Sequence, residues 1–293
     1  MSIVKAIIMG LIQGLAEFLP ISSSGHLAIA KEVLHLELDT GLLFDVLLHV
    51  GTLIAIFVAF WKDIQKLVIE GLCIVRDFFC NLVLFFSNLS RSKEQRKPYR
   101  PMAATPYRRF VLLILVSTIP TGILGILLEE VIGAAGSGIL VPGILLFVTG
   151  CLLLIADHAP SGSCTEENTS YGKALLVGIS QGIATLPGLS RSGTTITAGL
   201  LCGFERNFAV RYSFIMSIPA VLGAALLELL KLEPSMLTAS ELLCYLVGTL
   251  VATVVGYISI KTMLVLVRGK KFVYFSVYCF FVGAIAIGAY ILG

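Results

Sequence analysis

The sequence predicts an all-α integral membrane protein, and three observations carry that prediction. Of its 293 residues 57% are hydrophobic and 13% charged, with a mean hydropathy of +0.96, too few polar side chains to clothe the chain in water. Apolar runs recur that are long enough, at about 20 residues, to cross roughly 30 Å of hydrocarbon as helices with every backbone group satisfied internally. One polar phrase is written twice, as QGLAEFLPISSSGH at 13–26 and QGIATLPGLSRSGT at 181–194, at a constant offset of 168 residues. A β-barrel is not expected, because its strands would alternate in polarity rather than run apolar for about twenty residues.

The first apolar stretch, 5–19, is short and runs into Pro20, then Ser22, Ser23, Ser24 and Gly25, before another short apolar piece. Proline removes a donor and disfavours helix for the residue before it, while serine and glycine suit a turn and a fresh helix start. This pattern predicts a re-entrant helix pair, and broken backbone at membrane depth is tolerated only where protein or a wet cavity surrounds it. A span follows at 41–61. Along 62–89 Asp63, Lys66, Glu70, Asp77 and Asn81 share one helical face opposite Leu67, Ile74 and Phe78. That face predicts an amphipathic helix lying in the interface, continued by a basic loop to 109.

Spans at 109–129 and 138–156 complete the first half. The second opens on another short stretch, 174–186, broken at Pro187 and restarted at Ser190, and continues with spans at 212–230, 241–267 and 272–292. The expected architecture is a single polytopic domain, 1–293, of about six spans and two re-entrant pairs. It is built of two repeats, about 1–156 and 170–293, and three crossings per half relate them by inverted topology.

Arg91, Lys93, Arg96, Lys97, Arg100, Arg108 and Arg109 cluster in one connection, and Arg268, Lys270 and Lys271 in another. Six-crossing parity puts both on one side, cytoplasmic by the bias of basic loops, so the first motif opens outward in a plasma (inner) membrane. The net charge of +3 identifies no partner, and no nucleic acid is expected. The seven cysteines show no Cys-x-x-Cys spacing and are expected as small buried hydrophobes. Gln13 and Glu17 interrupt the N-terminal apolar stretch, so a cleavable signal is not expected there.

The polar residues of the doubled phrase carry the chemistry. Gln13 and Glu17 lie one helical turn apart and can converge on one cation or proton, and an ionisable residue inside a bilayer is a functional candidate by default. Ser22, Ser23 and Ser24 stand where a second short helix begins, an anion-binding end of hydroxyls and free amides, with His26 one turn on. In the second copy Ser190, Arg191, Ser192 and Gly193 open the corresponding helix and Thr194 replaces His26. Arg191 is the one permanent cation of either elbow and forks onto phosphate oxygens. If the elbows meet, the set suits binding and cleavage of a phosphate ester or anhydride.

These two motifs closely resemble the signatures of the undecaprenyl-pyrophosphate phosphatases, also called bacitracin-resistance proteins. The resemblance implies a membrane enzyme that removes the terminal phosphate of undecaprenyl pyrophosphate, recycling the lipid carrier for peptidoglycan. It implies Gln13 and Glu17 as a metal-associated pair with magnesium or calcium, Ser23 as nucleophile or phosphate binder, His26 as nucleophile or acid/base, and Arg191 as phosphate clamp. Ser22, Ser24, Gly25, Ser190, Ser192, Gly193 and Thr194 are the expected substrate-binding positions. Many members carry Glu where this chain has Gln13, which leaves Glu17 to carry the charge. Asp45 and His49, one turn apart on the next helix, are candidate supporting partners of the site or, equally, members of an interhelical hydrogen bond. A polyprenyl pyrophosphate suits the setting, since its tail dissolves in lipid while its head needs polar groups at depth. A homodimer is compatible with the sequence and not specified by it.

Two other classes compete. Broken helices meeting at the midplane also build secondary transporters, so a flippase for the polyprenyl phosphate is the runner-up. A non-catalytic scaffold leaves the buried polar set unexplained.

Overall fold

The computed structural model describes residues 2–33, 41–136, 138–160, 162–230 and 238–292, and the ordered elements among them are helical. Helix α1 (Ile3–Phe18) starts at Ser2, whose hydroxyl accepts the Lys5 amide, and ends where Leu19 turns extended ahead of Pro20. Helix α2 (Ser23–Val33) restarts directly after it. Then come α3 (Gly41–Ala59) and α4 (Trp61–Leu89), with an 88° bend between them. Thr105 caps α5 (Pro106–Leu127), which has proline in its first turn, where the missing amide costs no bond.

Short α6 (Glu129–Gly136), which the sequence did not suggest, leads into α7 (Leu140–His158). The second half runs α8 (Tyr171–Ile183), α9 (Arg191–Leu201), α10 (Arg206–Leu230), α11 (Ala239–Arg268) and α12 (Val273–Leu292). A capping box between Thr238 and Glu241 starts α11.

Helices α5, α7, α10, α11 and α12 are each long and apolar enough to cross a membrane, and the bent α3–α4 pair makes a sixth candidate. The expected spans are therefore all helices, with shifted ends: α10 begins at Arg206 rather than 212. Side chains such as Ile126, Leu250, Val265 and Phe281 stay well exposed on these helices, as a lipid-facing surface requires.

The first helix of each repeat packs most extensively on a spanning helix of the other half, α1 on α11 and α8 on α5. Repeated glycines make that approach close. A Cβ on Gly10 would sit 2.5 Å from the Gly248 carbonyl oxygen, and one on Gly178 would sit 2.3 Å from the Ser117 carbonyl oxygen. Small residues let helices in lipid approach until dispersion and hydrogen bonds hold them, because lipid supplies no hydrophobic drive between helices. The Thr121 hydroxyl accordingly donates across the contact to the Gly178 carbonyl at 2.9 Å.

Helix α4 departs from expectation in what its polar face meets. Asp77 is buried, bound by Arg76, Arg100 and Arg108, and Glu70 also takes Arg108 at 2.8 Å. Asn81 exchanges hydrogen bonds with the Arg100 backbone and Asn88 with that of Lys97. The loop after α4 thus folds back onto its acidic face. Phe78, expected beside Leu67 and Ile74, is exposed, whereas those two are buried.

Candidate active site

The two elbows meet. Pro20 packs where a Cβ on Gly193 would sit, 3.2 Å away, and a Cβ on Gly25 would lie 3.3 Å from the Gly188 Cα. The Gly188 amide donates to Ser24 Oγ at 3.4 Å. Gly188 holds a φ of +95°, with its Cα face against the Pro142 backbone, a conformation and a space open to glycine alone. Thr149 of α7 secures the second elbow, its hydroxyl donating to the Gly188 carbonyl and accepting the Ser190 amide at 3.0 Å. Ser190 in turn caps α9 by accepting the Gly193 amide at 3.1 Å.

Glu17 sits at the junction. One carboxylate oxygen accepts the Ser23 hydroxyl at 2.7 Å and the Gln13 amide at 3.1 Å, and the other is paired with the Arg191 guanidinium. Carboxylate, hydroxyl and guanidinium therefore come from α1, α2 and α9. A cavity of about 180 Å³ opens beside them, lined by Glu17, Ser23, Ser24, His49, Thr185, Ser190 and Arg191 among others. A smaller recess that also touches Glu17 and Arg191 is lined by Ser192, Ser213 and Ser217.

The remaining expected residues lie around this centre. Ser22 is buried with φ at +70°, a strained conformation for a serine. Its hydroxyl accepts the Gly25 amide and lies 3.4 Å from that of Ser24. His26 does not line the cavity. Its Nδ1–H donates to the Ser22 carbonyl at 2.8 Å, and its Nε2 lies 2.8 Å from the Tyr278 hydroxyl with the two rings stacked. Gly193 is a packing position, and Thr194 is buried with a hydroxyl that has no partner.

Tyr278, Thr149 and Thr185 had no place in the sequence reading. Thr185 could have been found, since the offset that pairs Gln13 with Gln181 makes it the counterpart of Glu17.

Residues 6–285 match the family described as bacitracin resistance protein BacA. The chain belongs to that family. Relatives in it include the undecaprenyl-diphosphatase of Methanosphaera stadtmanae, 42% identical over 287 residues and 98% of each chain. That of Halothermothrix orenii is 40% identical over 98% of each chain, and that of Methanobrevibacter smithii is 39% identical over 97% of this chain and 96% of its own. The resemblance first read from two motifs thus extends over nearly the whole of this BacA-family protein.

The BacA-family elbow offers a limited donor set for a divalent cation. Gln13 Oε1 is buried without a partner, one turn from the Glu17 carboxylate, and both are the hard oxygen donors that magnesium and calcium prefer. No cluster of three or more His, Cys, Asp or Glu side chains able to hold a metal occurs among the described residues. The set therefore fits a cation that draws its other ligands from pyrophosphate and water, the usual habit of magnesium.

Proposed function

We propose that this protein is a membrane phosphatase that hydrolyses undecaprenyl pyrophosphate to undecaprenyl phosphate and inorganic phosphate. One observation carries the reading: Ser23 donates to a carboxylate, Glu17, that is also paired with Arg191 across the two elbows, all on one cavity. A hydroxyl hydrogen-bonded to a general base is the signature of an activated nucleophile. A guanidinium beside it meets the charge that develops on a transferred phosphoryl group.

In the proposed reaction Ser23 Oγ bonds to the terminal phosphorus as its proton passes to Glu17. The anhydride P–O bond breaks and its electron pair leaves on the lipid monophosphate. Arg191, Ser24, Ser190 and the N-terminal amides of α2 and α9 hold the phosphate oxygens. Gln13 and Glu17 are the residues that would hold magnesium or calcium, which when bound adds Lewis-acid neutralisation of the phosphates. Ser22, Gly25, Ser192, Gly193 and Thr194 build the elbows around this set. His26, with both ring nitrogens engaged, keeps the strained Ser22 carbonyl in place, which leaves Ser23 as the group facing phosphorus.

The exchange of partners between halves supports an inverted repeat, and the positions of the basic residues support a cytoplasmic face for the loops at 91–109 and 268–271. In a cell that builds peptidoglycan, the product is the recycled carrier and bacitracin resistance accompanies it. A flippase requires the anion site but neither nucleophile nor base, so transport is the weaker reading.

Phosphate release from undecaprenyl or farnesyl pyrophosphate by the purified protein in detergent with magnesium tests the reading. Detergent abolishes compartments, so transport contributes no signal. Release above background is expected, and its absence from correctly folded protein sinks the proposal.

A further inference from the structure

His49 lines the same cavity as Glu17, Ser23 and Arg191, yet it comes from neither elbow but from spanning helix α3. Its Nδ1 lies 2.8 Å from the carbonyl oxygen of Asp45, one turn back on the same helix. A carbonyl only accepts, so Nδ1 carries a proton, and in the neutral tautomer Nε2 of this cavity-lining ring is an acceptor. Of the rest of the lining Arg191 is a pure donor, while the hydroxyls of Ser23 and Thr185 already give their protons to Glu17 and to the Gly182 carbonyl. The Glu17 carboxylate is already engaged, by Arg191, Ser23 and Gln13. Glu17 and Arg191 are the charged groups that share the cavity with His49, and α4, α10 and α11, which also pack on α3, add no titratable side chain to that lining.

We infer that His49 is the residue that positions the hydrolytic water, accepting one of its O–H bonds at Nε2. The inference rests on the phosphatase reading and completes its second step. Water held by His49 attacks the phosphorus of phospho-Ser23, and its oxygen bonds to phosphorus as the Oγ–P bond breaks. Glu17 returns its proton to Oγ, and both hydrogens of the water end on the inorganic phosphate. Arg191 binds phosphate, and His49 supplies a ring-nitrogen acceptor for the water. A group that orients the attacking water acts on the chemical step more than on binding, and its misplacement costs on the order of 100-fold in rate.

Three substitutions separate the two ring nitrogens. Asparagine can replace the Nδ1 bond to the Asp45 carbonyl but does not reach the ε position, glutamine offers an acceptor there, and alanine offers neither. With wild type releasing phosphate, His49→Gln is expected to keep kcat within about tenfold, while His49→Asn and His49→Ala each lose on the order of 100-fold in kcat with KM little changed. Thermal unfolding in detergent accompanies each variant. A His49→Asn protein with wild-type kcat overturns the inference, as does a loss that falls on KM or one seen equally in all three variants. Wild type that releases no phosphate overturns the phosphatase reading itself, a result distinct from all of these.

Discussion

Glu17 of the first elbow is paired with Arg191 of the second, 174 residues later in the chain. Each half brings one charge to a cavity that neither half closes alone. Arg191 is about a quarter exposed and Glu17 nearly buried, so the pair stays accessible to an anion while remaining poorly screened.

The pair should behave as a unit. Glu17→Ala and Arg191→Ala are each expected to lower kcat/KM by roughly 10²- to 10³-fold, with the double variant little worse than either single one. Arg191→Lys should recover only part of the loss, because an ammonium cannot fork onto two oxygens. Steady-state kinetics of wild type and the four variants reads this directly, and additive losses would break the coupling.

Tyr278 supports the first elbow through His26. Tyr278→Phe removes one hydrogen bond and keeps the ring, a change of about 1 kcal/mol or roughly fivefold if the whole effect reaches the reaction. Activity reduced several-fold at unchanged melting temperature is the expected outcome. Activity equal to wild type would show that the stacked ring alone holds His26.

The helix contacts across the two halves predict a contrast between glycines. Gly178→Ala places a methyl 2.3 Å from the Ser117 carbonyl, whereas nothing lies within 4 Å of a Cβ on Gly122. The first substitution should destabilise by about 1–3 kcal/mol through overpacking, and the second should be neutral or stabilise by a few tenths of a kcal/mol. Thermal melts of both variants in one detergent give the comparison.

Much of this was legible in the sequence, and the misses share a physical cause. The doubled phrase disclosed both elbows because proline, serine and glycine impose backbone constraints that local sequence carries. Gly10 and Gly178 likewise recur at the offset and mark the close helix contacts. Periodicity also placed Asp77 and Asn81 on one face of α4, but it tells which residues share a face and not what covers it. Arg100 and Arg108, 23 and 31 residues on, cover that face. Tyr278 meets His26 across 252 residues, a distance over which no local pattern speaks. His49 was legible as a candidate supporting partner, and the folded chain sets it on the cavity beside Glu17 while pairing its Nδ1 with the Asp45 carbonyl.

Asp77 gives the α4 contact a pH dependence. Hydrogen bonds from Arg100 and then from Arg108 and Arg76, against an opposing effect of burial, lower its pKa from 3.8 to about 2. A carboxylate with a depressed folded pKa contributes stability that is complete above the unfolded value and is lost as pH falls through the folded one. The attachment of the 91–105 loop to α4 should therefore hold above about pH 4 and weaken between there and about pH 2. Limited proteolysis of that loop with an acid-active protease checks it, and Asp77→Asn should remove the dependence in this window.

The central claim, that one site made from both elbows cleaves the pyrophosphate, has a direct measurement. Phosphate released from undecaprenyl pyrophosphate by purified, folded wild type is compared with that from Glu17→Ala, Ser23→Ala and Arg191→Ala. Release by wild type with near-background values for all three variants, changed in the first elbow or the second, is the predicted result. Variants of one elbow that match wild type would contradict it.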